Sequence, residues 1–177
     1  MKHLIYIFVI LVFVSCDIQI KEETSSILDP NEYQKALEGA NHMLNKSEDE
    51  QIEDYIIRHG WKMKQTGSGL RYMIYIDGDG EQVKNNSYVK FNCVLNLINA
   101  YVSYNSVEKG PMEAVIGKTD IPAGLIEGLL KLKEGDKAKL IVPSHLGYGL
   151  LGYGNDIPSK AILIYHIEVL EVTNPFF

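Results

Sequence analysis

Cysteine and clusters of basic residues are scarce in this sequence. The 177-residue chain has only Cys16 and Cys93, too few for the disulfide framework of a small secreted scaffold. Its formal net charge is -6 and no Lys/Arg cluster is present, which excludes a nucleic-acid-binding surface because phosphate binding requires a basic face. The hydrophobic share of 46% is that of a globular protein, and the length fits one principal domain with an extension.

No apolar run is long enough to span a membrane. The longest covers residues 4–14 and falls short of the roughly 20 apolar residues that a spanning helix needs. It follows Lys2-His3 and precedes Ser15-Cys16, which predicts a signal peptide over residues 1–15. The pattern resembles a lipoprotein signal, in which the cysteine is acylated. An incidental Cys16 after a general secretory signal is the alternative.

Lipidation of Cys16 would fix both the location of the protein and the state of its other thiol. The resemblance implies a lipid anchor in the cell envelope, at the outer membrane, with the protein facing the periplasm or the surface. Cys93 would then have no partner, so we expect it to be a buried, inert thiol. Residues 16–28 are polar and predict a flexible tether. The Lys21-Glu22-Glu23 cluster within it is interpreted as solvated tether, with a surface-export signal as the alternative.

Two capping boxes predict two helices over residues 29–60. Asp29 with Glu32 opens the first, with Pro30 in its first turn. Ser47 with Glu50 opens the second, and Gly60 ends it. The apolar residues at helical spacing are Tyr33, Ala36, Leu37, Ala40 and Leu44 in the first helix and Ile52, Tyr55 and Ile56 in the second. We expect the same chain to cover these stripes. A second copy is the alternative, which would make the protein an oligomer through its N-terminal helices.

From Trp61 onward the apolar period changes to two, which predicts half-buried antiparallel strands. The alternating sets are Tyr72, Ile74 and Ile76; Phe91, Cys93, Leu95 and Leu97; Ala138, Leu140 and Val142; and Leu163, Tyr165, Ile167 and Val169. Leu125, Leu129 and Leu132 after Pro122 predict a helix of about three turns, closed by Gly135. One helix against an antiparallel sheet is an α+β arrangement.

A series of short motifs follows in fixed order along the C-terminal half. They are Gly124-Leu125-x-x-Gly128, Leu132-Lys133-Glu134-Gly135-Asp136, Val142-Pro143, Leu146-Gly147-Tyr148-Gly149, Ile157-Pro158 and Ile164-Tyr165-x-Ile167-Glu168. Over residues 70–172 their order and spacing resemble the FKBP family of peptidyl-prolyl cis-trans isomerases. The domain is predicted to span residues 61–177. The leader and helical preface further resemble the FKBP-like lipoproteins associated with gliding motility.

The resemblance implies a curved antiparallel sheet wrapped around one short helix, with a hydrophobic pocket for proline. It implies Tyr148, Tyr104 and Asn105 as catalytic residues, with the Tyr148 phenol as donor to a peptide carbonyl. The implied pocket walls are Cys93, Met112, Ile121, Pro122, Leu125, Tyr153, Ile157 and Tyr165. The reaction needs no nucleophile or cofactor, and no histidine pairs with a second ligand at metal spacing, so no metal site is expected.

Four positions depart from the family pattern. Cys93 stands where the family usually has a tyrosine, Asn105 where it has an aspartate, and Leu125 where it often has a tryptophan. Pro122 stands where a backbone N–H binds the ligand carbonyl, and proline has none. The function expected is therefore isomerisation, with weakened catalysis, during folding or assembly of exported envelope proteins. The alternative is a non-catalytic binding or scaffold lipoprotein of an envelope machine, such as one for motility or secretion.

Overall fold

The computed structural model describes residues 30–174; within the first helix it describes residues 30–33, 36 and 40–47 by their backbone alone. In chain order the elements are α1 (Pro30–His59), β1 (Lys64–Gln65), β2 (Arg71–Ile76), β3 (Tyr88–Leu97), β4 (Val102–Asn105), α2 (Ser106–Lys109), β5 (Met112–Val115), α3 (Ala123–Leu129), β6 (Lys137–Val142) and β7 (Leu163–Thr173). A short 3-10 turn, Ser144–Leu146, follows β6. The predicted signal peptide, tether and lipidation site at Cys16 lie outside the described residues.

Helix α1 is one continuous helix, so the prediction of two helices over residues 29–60 was wrong. No glycine or proline stands between Leu44 and Ser47 to interrupt the helix, and a capping box is a start signal only where the chain before it is not helical. The predicted stop at Gly60 is confirmed. Gly60 has φ 63°, and the N–H groups of Gly60 and Trp61 donate to the carbonyls of Ile57 and Ile56, which is a Schellman motif.

The strands form one antiparallel sheet in the order β1-β2-β6-β7-β3-β4, with β5 also paired to β3. The long strands β3 and β7 pair along their whole length, from Tyr88 opposite Thr173 to Leu97 opposite Leu163. Their inner faces carry the alternating sets predicted from the sequence, which are buried in one core. The α+β arrangement is confirmed, and the inner face of the sheet is the surface against which a site can be built.

Helix α3 packs on this inner face but is shorter than predicted. It ends at Leu129, whereas Leu132 follows in a turn and is fully buried in the core. Gly135 does not close the helix: it has φ 87° and its N–H donates to the Val169 carbonyl in the turn that leads into β6. The helical spacing of apolar residues continues to Leu132, past the end of the helix, because the turn that follows the helix also faces the core.

The C-terminal half of α1 covers part of the outer face of the sheet. Ile52 and Ile56 are buried against Ile141, Ile162 and Ile164, which confirms cover by the same chain for this stripe. The side chains of Tyr33, Ala36, Ala40 and Leu44 in the other stripe lie outside the described residues. No helix within residues 30–174 is long and apolar enough to cross a bilayer.

Candidate functional site

A cavity of about 280 Å³ opens between the inner face of the sheet, the start of α3 and the loop that joins β6 to β7. All the predicted pocket and catalytic residues line it except Asn105. Its lining consists of Cys93, Leu95, Ser103, Tyr104, Lys109, Met112, Asp120, Ile121, Pro122, Leu125, Tyr148, Tyr153, Asp156, Ile157 and Tyr165. The fold thus gathers side chains from six separate segments around one mostly apolar space.

The floor of the cavity is made by residues of the sheet and of α3. Tyr165, Leu125 and Cys93 are at most 2% exposed and belong to the main core. Burial raises the pKa of Tyr165 well above its ordinary value and raises the pKa of the Cys93 thiol to about 12. The thiol lies 3.7 Å from the Met112 sulfur. Cys93 is therefore the buried, unreactive thiol that was predicted, and the floor carries no charge at neutral pH.

Tyr148 forms one side of the cavity. It follows the 3-10 turn Ser144–Leu146, and its ring stacks on Tyr153 with centroids 4.8 Å apart and planes inclined by 27°. Burial first, and then Tyr153, Asp120 and Cys93, raise the pKa of the Tyr148 phenol, so it keeps its proton at neutral pH. None of the side-chain hydrogen bonds found within residues 30–174 involves its hydroxyl. The phenol is a free donor.

The other two residues predicted as catalytic are placed differently. The Tyr104 hydroxyl faces the cavity region but donates to the Gly110 carbonyl at 2.7 Å, so it holds the segment after α2. Asn105 does not line the cavity: its side-chain oxygen accepts the Val107 N–H at 3.0 Å and caps α2. A short polar side chain suits that cap as well as an aspartate does. The pattern of the family alone could not distinguish a cap from a pocket residue.

Ile121 and Pro122 form the rim next to α3. The Ile121 N–H donates to the Thr119 carbonyl at 3.0 Å and is therefore not available to a ligand. Pro122 has no N–H, and its carbonyl accepts the N–H groups of Leu125 and Ile126 at 2.9 and 3.1 Å. This rim offers apolar surface without the backbone donor that the family pattern would lead one to expect.

The outer rim is the loop from Gly149 to Ile157. Tyr153 and Ile157 exchange two backbone hydrogen bonds of 2.8 and 3.1 Å, which close the loop into a small ring. Ile157 is buried at 4% exposure, whereas Tyr153 is 64% exposed. Gly152 directly precedes the ring, has φ 68° and lies against the Ile157 and Pro158 carbonyls. The ring thus holds the Ile157 side chain in the cavity wall and the Tyr153 side chain at the mouth of the cavity.

Five lining residues were not predicted: Leu95, Ser103, Lys109, Asp120 and Asp156. Leu95 could have been found, because it is two residues from Cys93 on the same face of β3. Ser103 lies in the short strand β4, Lys109 at the end of the one-turn helix α2, and Asp120 and Asp156 in loops, and none of these segments is long enough for a period to indicate the direction of a side chain. Asp156 accepts a hydrogen bond from Tyr101 at 3.4 Å, which joins the loop after β3 to the outer rim.

The cavity combines an apolar floor with a protonated phenol at its side, and the three charged residues of its lining, Lys109, Asp120 and Asp156, are exposed. Within residues 30–174, no three His, Cys, Asp or Glu side chains come close enough together to hold a metal ion. The cavity can accept a compact apolar ring and offer one neutral hydrogen bond to a nearby carbonyl. Such a site can select a conformation of a bound chain but supplies no nucleophile.

Comparisons with known proteins agree with this geometry. A probable FKBP-type peptidyl-prolyl cis-trans isomerase of Haemophilus influenzae is 38% identical over 117 residues, 66% of this chain and 47% of that protein. The FKBP-type isomerase FkpA of Buchnera aphidicola subsp. Acyrthosiphon pisum is 31% identical over 88% of this chain and 59% of its own length. The chain thus spans about half the length of the curated relatives it matches.

The likeness extends to three-dimensional structure. The crystal structure of FkpA from Escherichia coli superposes with a TM-score of 0.62 at 27% identity, covering 83% of this chain and 74% of that one. The model of the FKBP-type peptidyl-prolyl cis-trans isomerase family matches residues 79–170, which carry β3 to β6, most of β7, α3 and every lining residue of the cavity. This match covers more than half of the sequence, and the chain belongs to the FKBP-type peptidyl-prolyl cis-trans isomerase family.

Proposed function

We propose that the protein is a peptidyl-prolyl cis-trans isomerase that acts on proline-containing segments of exported proteins. The observation that carries this proposal is the apolar cavity with Tyr165, Leu125 and Ile157 buried around it and the Tyr148 hydroxyl free at its side. A prolyl ring fits such a floor, and the phenol is placed to donate to a neighbouring peptide carbonyl.

The reaction explains why these residue types suffice. Rotation about a prolyl bond meets a barrier of about 20 kcal/mol because the amide loses its resonance on the way. A twisted amide is less polar than a planar one, so an apolar cavity binds the transition state better than the ground state. No covalent bond is made or broken, and the protein contributes a dry surface and a hydrogen bond that holds the chain.

A protease-coupled assay on a prolyl peptide tests the proposal with the full chain in mild detergent. We expect turnover above the spontaneous rate, inhibited by a macrocyclic FKBP inhibitor. Turnover that the inhibitor does not reduce would place catalysis elsewhere. No turnover together with measurable inhibitor binding would favour the alternative of a non-catalytic binding protein.

A specific observation favours that alternative. Pro122 has no N–H, and the Ile121 N–H is already bonded to Thr119, so the rim lacks a donor that could fix a substrate carbonyl. Cys93 and Leu125 contribute apolar contact at positions where the family often has larger aromatic side chains. A scaffold lipoprotein that only binds a proline-containing segment in an envelope machine would need the apolar cavity. It would not need the backbone N–H donor that Pro122 lacks.

Replacing Tyr148 with Phe is expected to lower kcat/KM several-fold while the fold is retained. The change removes one neutral hydrogen bond, whose net contribution is on the order of 1 kcal/mol. The ring and its stacking on Tyr153 remain. Tyr75→Phe is the matched control, because that hydroxyl lies on the other face of the domain and does not line the cavity. Equal kcat/KM in Tyr148→Phe and wild type would remove Tyr148 from the reaction.

We also propose that the chain is anchored to the cell envelope through an acylated Cys16, with residues 16–28 as the tether. The support is the sequence pattern: a short polar start, an apolar run over residues 4–14, and Ser15-Cys16 before a polar stretch. An anchored isomerase would meet its clients outside the cytoplasm. Firm anchoring requires more than one acyl chain, because a single chain binds membranes only marginally.

Changing Cys16 to Ser is expected to leave the protein unacylated and largely in the aqueous phase. Detergent phase partitioning and metabolic labelling with a fatty acid measure the change. Cys93→Ser is the control and should partition as wild type does, because Cys93 is buried in the fold. If the Cys16→Ser protein still partitions into detergent and still takes up label, the lipoprotein proposal is wrong.

A further inference from the structure

A carboxylate of helix α1 is buried against the segment that carries Tyr148. Glu48 is 8% exposed, and its partner Ser144 is 6% exposed. One carboxylate oxygen accepts the Ser144 hydroxyl at 2.6 Å, and the other accepts the Ser144 backbone N–H at 3.0 Å. The two residues are 96 positions apart in the chain. Glu48 thus joins the helical extension to the start of the 3-10 turn Ser144–Leu146.

Ser144 in turn orders the backbone on both sides of Tyr148. Its carbonyl accepts the Gly147 N–H at 3.0 Å and the Gly149 N–H at 2.9 Å. These are the two residues that flank Tyr148. Glu48 binds both the N–H and the hydroxyl of Ser144, so all the polar groups of Ser144 are engaged. These two hydrogen bonds from helix α1 fix the orientation of the Ser144 carbonyl.

Other contacts also hold the helix on the domain. Ile52 and Ile56 already bury apolar surface against Ile141 and Ile164, and Asp49 pairs with the buried Arg71 at 2.9 Å. A buried carboxylate is costly to desolvate and contributes little net stability even when it is paired. What Glu48 adds to these contacts is a defined position for Ser144.

We propose that Glu48 is a positioning residue for Tyr148. Through Ser144 it fixes the backbone of Gly147 and Gly149, and so the place at which the Tyr148 phenol meets a bound carbonyl. This inference rests on the proposed function for its catalytic consequence, but its structural part can be measured without turnover. It also makes α1 part of the working site, because a residue of that helix determines the geometry of the cavity.

Glu48→Ala tests the proposal in the full chain. It removes both acceptors of Ser144, so we expect hydrogen exchange of the Gly147 and Gly149 amides, followed by NMR, to accelerate about tenfold or more. We expect kcat/KM to fall several-fold as Tyr148 loses its fixed position. Glu48→Gln is the conservative rescue, since its amide can accept the Ser144 N–H and donate to the Ser144 oxygen, and it should keep both properties near wild type.

Asp49→Ala is the matched control. It removes the neighbouring carboxylate of the same helical turn, whose partner is Arg71 on β2 rather than Ser144. We expect wild-type exchange at Gly147 and Gly149 and wild-type turnover. Ser144→Ala, which loses only the hydroxyl contact, provides a second test if Glu48→Ala does not fold. It should accelerate the same two amides, but by less than Glu48→Ala does.

Two results would overturn the proposal. One is wild-type exchange of the Gly147 and Gly149 amides in Glu48→Ala and Ser144→Ala. The other is an equal acceleration in Asp49→Ala, which would mean that any weakening of α1 loosens the turn. If the wild-type protein shows no turnover, the proposed isomerase function fails, while the exchange of these two amides still decides the role of Glu48.

Discussion

Gly152→Ala is expected to abolish most ligand binding at the cavity. Gly152 has φ 68°, and a methyl group there would collide with the Ile157 carbonyl oxygen and approach the Pro158 carbonyl carbon to 2.7 Å. The obstacles are backbone atoms, so the loop itself must open, which breaks the two hydrogen bonds between Tyr153 and Ile157. Ile157 would leave the wall. We expect affinity for a macrocyclic FKBP inhibitor to fall at least tenfold, since two backbone bonds of about 1 kcal/mol each are lost.

Gly154→Ala separates this collision from backbone strain. Gly154 lies in the same loop with φ 56°, and a methyl group there meets no atom within 4 Å. It carries the same left-handed cost of about 1 to 2 kcal/mol, which should appear in the free energy of unfolding rather than in affinity. Calorimetric titration and thermal unfolding of both variants measure the two effects. Equal inhibitor affinity in Gly152→Ala and Gly154→Ala would show that the close packing of Gly152 against Ile157 and Pro158 does not shape the cavity.

The sheet could be predicted from the sequence because its signal is local. Phe91, Cys93, Leu95 and Leu97 alternate with residues that face outward, and a period of two puts all four on one face. Ile141 shows the limit of that rule. It falls on the outward side of β6 yet is fully buried, because Ile52 and Ile56 of α1 cover it. Burial that depends on a distant element does not follow from the period of the strand itself.

The apolar walls of the cavity could be predicted from family motifs rather than from periodicity. The polar contacts around the cavity could not be predicted from the sequence. Apolar wall residues such as Leu125 and Ile157 stand within motifs that the family shares, so their positions follow from the spacing. The contact of Glu48 with Ser144 joins residues 96 positions apart and has no pattern. Glu48 stands inside the predicted capping box of a helix start that does not exist, and its burial followed only from the three-dimensional fold.

The rim at Pro122 leaves one question about binding that a substitution can answer. A ligand carbonyl held beside Pro122 gives up a hydrogen bond to water without gaining one from the protein, at a cost of roughly 1 to 3 kcal/mol. The Ile121 N–H cannot replace the missing donor, because it is bonded to Thr119. The remaining candidate is Ala123, the first residue of α3, where an N–H has no partner within the helix. Ala123 is exposed and does not line the cavity.

Pro122→Ile is therefore expected to bind a macrocyclic FKBP inhibitor roughly five- to a hundredfold more tightly than wild type, and to isomerise faster, because it restores an N–H at the rim. Its carbonyl can still accept the Leu125 and Ile126 N–H groups that start α3. Pro122→Ala restores the same N–H with less apolar surface. Tighter binding by both variants identifies the donor as the cause, whereas tighter binding by Ile alone identifies side-chain packing. Equal or weaker binding in both well-folded variants means that Ala123 or another group already serves the carbonyl, and that Pro122 does not weaken this site.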